Sequence, residues 1–333
     1  MDRFGEHAEP LVTRHAFDTR DTGEAEEFLR AGYAENSLTI TGAQGDFSFA
    51  HSTVTAPRFS CNTLVLGVDF ASDTVVRPDD PITVVEPLRG RLAHLDSDYP
   101  DAYTDTGDVV LAAPDSPIRV LCEGREMTLT QLHWPDVDAY ATAMTGLRPG
   151  GLTFHSLTPI TAGRARHWLR TVGHVRDVLA DPWTADSPIV LDQASWSLAA
   201  ALLSTFPSTA TDHATDPEAP SVRGDASAAT LREVAGFIDA HADRPIGPTD
   251  ITGLAGMPVA EIIEGFRRRH DRHPAELLWR ARLRGVRRSL LDADPAVTVL
   301  AAAAARWGFT RLGRFRVAYV QAFGETPDQT LRR

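Results

Sequence analysis

Three arginines near the C-terminal end, Arg311, Arg314 and Arg316, lie within six residues of one another on a helical pattern. Guanidinium groups spaced this way pair with phosphate oxygens, or with guanine O6 and N7 in a major groove. The alternative is a solvated helix face. A second cationic run, Arg267, Arg268 and Arg269, falls near the end of another helical pattern, a position suited to phosphate contacts. Catalytic patterns are missing from the sequence. There is no G-x-S-x-G, H-E-x-x-H, P-loop or C-x-x-C, and no enzyme activity is expected.

The elements that must hold the first set are two short helices. One runs through the alanine block Ala301–Ala305, with Leu300 and Ala304 four apart. Gly308 breaks it, since glycine enters the left-handed region without steric cost. The next runs from about Thr310 to Ala322 with Leu312, Phe315 and Tyr319 inward. Phe323-Gly324 closes it and Pro327 blocks continuation. Two helices about a glycine predict a helix-turn-helix.

Ala304, Gly308, Phe309, Phe315 and then Phe323-Gly324-x-Thr326-Pro327 resemble the second helix-turn-helix of AraC/XylS-type transcription regulators. The resemblance implies an earlier motif upstream. Pro248 opens a helix there, Gly256 turns the chain, and a helix from Pro258 to about His270 carries Ile262 and Phe266 inward. Arg280-x-Arg282-Leu283 and Leu290-Leu291 resemble the helix linking the two motifs. The first motif departs from the pattern at Thr252, Pro258 and Gly265, where glycine costs about 1 kcal/mol against alanine. By resemblance, the base-facing positions are Val259, Ala260, Ile263 and Glu264 in the first motif. In the second they are Arg311, Leu312, Gly313, Arg314 and Val317. Glu264 would accept from a cytosine amino group and the aliphatics would touch thymine methyls. Arg311 and Arg314 are expected to do most of the reading.

Net charge is −12 over 333 residues, which taken whole opposes nucleic-acid binding. The distribution reverses this. Residues 228–333 hold 17 arginines against 12 acids, and the remainder holds 16 against 33; there is no lysine. A basic module joined to an acidic partner domain gives this asymmetry. No run of 18 apolar residues suggests a membrane span, and Met1–Pro10 is not a signal peptide, so a cytoplasmic protein is expected. Cys61 and Cys122 are expected to be buried, reduced thiols.

Upstream, an extended Leu11–Phe17 and a helix Thr22–Ala34 precede short apolar or alternating runs: Phe47–Thr53, Asn62–Phe70, Ile82–Pro87, Arg91–Leu95, Asp108–Ala112, Ile118–Cys122 and Glu126–His133. Turn signals such as Gly42–Gly45 and Pro78–Pro81 separate them. This reads as a β-sandwich or barrel. Thr106–Val120 resembles the turn-strand-turn of cupin-like barrels, which form the sensor domain of many AraC-type regulators. Cupins often hold a metal through histidines. His51, His94 and His133 are the candidates here, but the H-x-H spacing is absent and no cofactor is expected. A small organic ligand lined by Phe47, Phe49, Phe59 and Trp134 is one reading of the aromatics, and plain core is the other. Two amphipathic runs, His167–Leu179 and Pro188–Phe206, follow; by resemblance they supply a dimer contact, though packing on the barrel would look the same. Pro207–Asp225, poor in large apolar residues, reads as a linker.

The resulting expectation is an α+β multidomain chain: a cupin-like β-barrel sensor with accessory helices (1–160), a helical dimerisation or packing region (161–206), a linker (207–226) and an all-α double helix-turn-helix (227–333). Its partners would be double-stranded DNA, a small-molecule or protein effector, a second copy of the chain, and RNA polymerase if it activates. A metal-dependent cupin-type enzyme with a helical appendage and a protein-interaction module are the rival readings.

Overall fold

The computed structural model describes residues 10–333 apart from 33–34, 41–46, 76–79, 115, 216–225 and 271–272. The turn signals at Gly42–Gly45 and Pro78–Asp79 lie outside the described residues. The chain divides into two units, Arg14–His174 with Ser195–Ser221, and Met1–Thr13 with Val175–Ala194 and Val222–Arg333.

Elements are numbered in chain order. The first unit begins with β1 (Thr13–Thr19), α1 (Thr22–Gly32), β2 (Glu35–Ile40), β3 (Phe49–Ala56), β4 (Phe59–Leu66), β5 (Phe70–Val75), β6 (Ile82–Leu95), β7 (Ala102–Asp105), β8 (Val110–Leu111), β9 (Pro117–Leu132) and α2 (Trp134–Thr145). One sheet runs β1-β3-β4-β9-β5-β2, with β6 pairing with β7, β8 and β9. The first half of β9 pairs with β5 and the second with β4, while β6 follows its other edge throughout. The result is a curled, antiparallel, cupin-like sheet.

Two expected pairs of short strands are each one long strand. Ile82–Pro87 and Arg91–Leu95 merge in β6, and Ile118–Cys122 and Glu126–His133 merge in β9. The break at Pro87–Gly90 is a shift of register against β9 instead of a turn, with Gly90 at φ 100°. Such a bulge bends a strand without ending it. Conversely, the single expected run Asn62–Phe70 splits between β4 and β5, because Gly67–Asp69 turn the chain.

Along β3, buried Phe49 and His51 alternate with exposed Ala50 and Ser52, the two-residue period of a strand with one covered face. Phe28 of α1 stacks on Phe17 at 4.5 Å and meets Phe49 edge-on at 5.7 Å, so α1 lies over the start of β3. Cys61 and Cys122 are buried, and burial pushes Cys122 up to about 12.

The helices that follow are α3 (Ala162–Ala180), α4 (Pro182–Ala185), α5 (Pro188–Thr205) and α6 (Thr209–Thr215). Trp168 and Val172 are buried on α3, Leu198 and Leu202 on α5. The stretch expected to be a linker from Pro207 starts instead with α6. It needs little apolar surface because the Thr209 amide donates to the Thr153 carbonyl and the Thr209 hydroxyl to that of Gly151, both at 2.9 Å. Residues 216–225 of that stretch are outside the described residues.

The second unit contains α7 (Ala228–Ala240), α8 (Pro248–Ala255), α9 (Val259–His270), α10 (Pro274–Leu291), α11 (Leu300–Arg306), α12 (Leu312–Phe323) and α13 (Pro327–Leu331). The cap of α7 is Ser227, whose hydroxyl accepts from the Thr230 amide at 3.0 Å. There are two small cores. Leu231, Val234, Ile238, Ile262 and Phe266 hold α7–α9 together; Leu283, Val286, Leu290, Leu300, Phe315 and Tyr319 hold α10–α12. α10 serves both, with Leu277 and Leu278 against the first and Leu283 onward in the second. α4 also packs on α11, where the Ser187 hydroxyl donates to the Ala305 carbonyl at 2.7 Å. Ala305 lies in the last turn of α11, whose carbonyls lack partners within the helix.

Candidate nucleic-acid interface

In the later motif, Gly308 turns the chain at φ 87° between α11 and α12. Phe309, Phe315, Tyr319 and Phe323 then pack in series, the first pair tilted and the next two edge-on, with successive ring centroids 5.0, 5.6 and 4.7 Å apart. The Tyr319 hydroxyl donates to Thr330 Oγ1 at 2.9 Å, and Thr330 donates to Glu325 at 3.0 Å. Glu325 also binds Arg287 at 2.9 Å and Arg333 at 2.7 Å, which fixes the end of α12 to α10. Pro327 does more than stop α12. Thr326 and Gln329 cap each other's backbone amides, and Pro327 opens α13.

With its inward face fixed, α12 presents Arg314, Arg316 and Val317 to solvent, and Arg311 precedes its first turn on the same exposed side; Val317 is 59% exposed. Arg316 lies 3.4 Å from Asp328, whereas Arg311 and Arg314 have no ion pair among the described residues. Gly313 is exposed, and a Cβ built on it would meet nothing within 4 Å. Leu312, base-facing by resemblance, is half-buried and packs against the Phe315–Tyr319 core, three residues before Phe315 on the buried stripe.

In the earlier motif, Gly256 ends α8 at φ 65°. Ala260 is exposed, and Ile263 and Glu264 are half-buried. Val259 is corrected, since it is 5% exposed and cannot touch a base from there. Arg267, Arg268 and Arg269 are exposed. Glu264 does not stand free beside them. It accepts from Arg267 at 2.8 and 2.9 Å and from Arg268 at 2.8 Å. Those two guanidiniums hold its carboxyl down at about 2. Its acceptor capacity is directed at its own helix, so an approaching cytosine would have to compete with Arg267 and Arg268. Gly265 has a packing reason. A Cβ there would sit 2.9 Å from Ala226 Cβ and 3.2 Å from Leu231 Cδ2, so glycine is what lets α7 approach α9.

Two residues that hold the motifs were not singled out as site residues from the sequence. Arg282 is 4% exposed on α10, and its guanidinium donates to the carbonyls of Ala242 and Arg244 at 3.3 and 3.5 Å. Burial lowers it to about 10, so it stays charged at neutral pH. Gly285, one turn on, leaves room for the Trp307 indole, which would be 2.2 Å from an added Cβ.

In the first unit a cavity of about 740 Å3 opens beside β3, β4 and the start of α2. Of the four aromatics for which lining and plain core were both open, Phe59 and Trp134 border it, whereas Phe47 and Phe49 are packed in the sheet core at 5% and 1% exposure and do not. His51 and His133 line it, and His94 does not; burial lowers His94 to about 4. Among the described residues, no three His, Cys, Asp or Glu side chains converge as metal ligands do.

Comparison with known proteins fits both units. An AraC-binding-like domain matches residues 25–204, over half of the chain, and a helix-turn-helix domain matches residues 252–333. The chain belongs to the AraC family of transcriptional regulators. Among relatives of this regulator is the "Probable thc operon regulatory protein" of Rhodococcus erythropolis, 33% identical over 102 residues, 31% of each chain. Another is the XylDLEGF operon transcriptional activator of Pseudomonas putida, 30% identical over 103 residues, 31% of this chain and 32% of that one. The regulator thus matches about a third of the length of these curated relatives. A solved structure, a probable AraC family transcriptional regulator from Rhodopseudomonas palustris CGA009, is 34% identical over 32% of this chain and 97% of that one, with a TM-score of 0.29. Among the described residues no helix is long and apolar enough to cross a membrane.

Proposed function

We propose that this regulator binds duplex DNA through α9 and α12, set in successive major-groove segments about one helical turn apart. The observation that carries this reading is the outward face formed by Arg311 and α12. Arg311 and Arg314 are exposed and without ion pairs among the described residues, at a helix whose opposite face is locked by a series of four rings in tilted and edge-on contact. Base reading belongs to Arg311 and Arg314, with Val317 available for a thymine methyl; in the earlier motif Ala260 and Ile263 offer apolar contact. Phosphate anchoring belongs to Arg267, Arg268, Arg269 and Arg316.

In this reading residues 1–160 sense an effector in the cavity of the curled sheet, residues 161–206 support a homodimer, 207–226 link, and 227–333 bind DNA in the cytoplasm. The two curated relatives bear the names of operon regulators, one of them an activator, which favours activation through contact with RNA polymerase. The test is selection of genomic fragments on the full-length protein, followed by binding measurements against salt. A selected site should be bound with a steep salt dependence. Equal retention of all fragments, or a flat response to salt, would defeat the proposal.

A further inference from the structure

The cavity in the first unit has a floor whose chemistry restricts what can fill it. Four lining residues on adjacent strands bond to one another there, and one of them bonds on to Thr83. The Thr53 hydroxyl donates to Asn62 Oδ1 across β3–β4. Asn62 Nδ2 donates to Gln131 Oε1 at 2.9 Å and to the Ser60 hydroxyl at 3.1 Å. Ser60 donates to the same Gln131 oxygen at 3.1 Å, and Gln131 Nε2 donates to the Thr83 hydroxyl at 3.3 Å.

Both Asn62 N–H groups are engaged, and Gln131 Oε1 has accepted twice. What remains is one Gln131 N–H and lone pairs on Asn62 Oδ1, Ser60 and Thr53. The floor therefore offers mostly acceptors. Phe28, Phe59 and Trp134 supply flat apolar surface around it. Among the described residues no arginine lines the cavity, and the chain has no lysine. The one carboxylate lining it among the described residues, Asp136, is occupied by Arg58 at 3.0 Å and faces His133 at 3.6 Å. Burial also lowers the pKa of His51, keeping that imidazole neutral at pH 7. A carboxylate or phosphate entering here would lose its hydration with no guanidinium or ammonium to replace it.

We infer that this cavity takes an uncharged, ring-bearing small molecule whose hydroxyl or amide N–H groups donate to the Asn62–Ser60–Thr53 floor, and that it discriminates against the corresponding acid. A volume of this size fits a molecule of one to three rings. The inference rests on the proposed sensor role of this unit, since it names the class of effector.

The experiment uses the full-length protein at pH 7 and two probes with the same ring and phenol, 4-hydroxybenzamide and 4-hydroxybenzoate, with binding read by saturation-transfer NMR and titration. The amide should bind at least about tenfold more tightly than the benzoate, the size of effect expected from leaving a charge unpaired. Ser60→Ala and Thr53→Val should each weaken the amide several-fold. Asn62→Leu should abolish its binding, and if that variant does not fold the two hydroxyl deletions still decide. Equal or tighter binding of the benzoate, no binding of either probe at 10-millimolar order, or amide binding that ignores all three variants would overturn the inference. Amide binding that follows the variants but leaves affinity for a selected DNA site unchanged would uphold the ligand class and count against the sensor role.

Discussion

Replacing Gly285 by alanine is expected to destabilise the second unit although it improves the helix. Alanine in the middle of α10 gains about 1 kcal/mol over glycine in helix propensity. The new Cβ, however, would lie 2.2, 2.3 and 2.6 Å from Trp307 Cη2, Cζ3 and Cε3. Carbon atoms in contact sit about 3.5–4.0 Å apart, so the ring must retreat by more than about 1 Å. The indole is not at liberty to swing away. Its Nε1 donates to the Ser289 hydroxyl at 3.1 Å, and the ring packs against the core shared by α10, α11 and α12. Overpacking of this kind costs about 1–3 kcal/mol, and loss of the indole hydrogen bond about 1 kcal/mol more. The net expectation is a loss of about 1–3 kcal/mol, read by calorimetry of the full-length protein as a fall of several degrees in the melting of the α10–α12 module. Gly313→Ala is the control, since its Cβ meets nothing within 4 Å, and it should raise stability by up to about 1 kcal/mol. Trp307→Leu in the Gly285→Ala background should recover part of the loss, giving a coupling between two touching positions. If Gly285→Ala melts at or above the wild-type temperature, the close-approach reasoning is refuted.

Three further expectations follow from the same geometry. Glu264→Gln should tighten binding to duplexes of any sequence and steepen the salt dependence by up to about 0.9 for each arginine it releases, measured by anisotropy across a salt series; an unchanged slope would show that Arg267 and Arg268 do not reach phosphate. Arg314→Ala should cost about 1–3 kcal/mol at a selected site and relax preference at one base position, whereas Arg269→Ala should weaken all sequences alike; uniform loss in both would remove Arg314 as a base reader. His94, whose Nδ1 is buried and unbonded among the described residues, should make the first unit acid-sensitive. Its folded value of about 4 lies below the ordinary 6.5, so between these the unfolded chain binds the extra proton and stability falls as pH falls, by up to about 1.4 kcal/mol per pH unit. His94→Leu should flatten that part of the stability–pH curve, and an equally steep curve in the variant would assign the effect elsewhere.

Helix content in the C-terminal third was legible because it is written in three- and four-residue periods and in glycine and proline positions. Gly256, Gly308 and Gly324 all take positive φ at helix ends, where glycine was the residue to look for. The strands were legible as a class but not as units. β6 and β9 are interrupted in sequence by residues that resemble turns, and only pairing with a neighbour decides whether such residues end a strand or bulge it. Faces of short helices were harder still. Val259 and Leu312 sit beside exposed residues, and which of two adjacent positions turns inward depends on packing that the period alone does not fix to better than one residue. Gly265 looked like a defect in a helix, because the residues that require it, Ala226 and Leu231, are more than thirty positions away. Of the four aromatics weighed as cavity residues, Phe59 and Trp134 line it and Phe47 and Phe49 do not, a distinction set by the curl of the sheet.

The carboxylate that grips Arg267 and Arg268 bears on how this molecule would search a genome. Any DNA-binding protein meets on the order of a million or more irrelevant addresses for each correct one. Cations partly cancelled from within dwell briefly at each of them. They give their full attraction only where the helix is drawn in deeply enough for phosphates to outcompete the internal acid. On the proposed reading the earlier motif would act as a weak, forgiving foothold, and the decision to stay would fall to Arg311 and Arg314, which have no ion pair among the described residues.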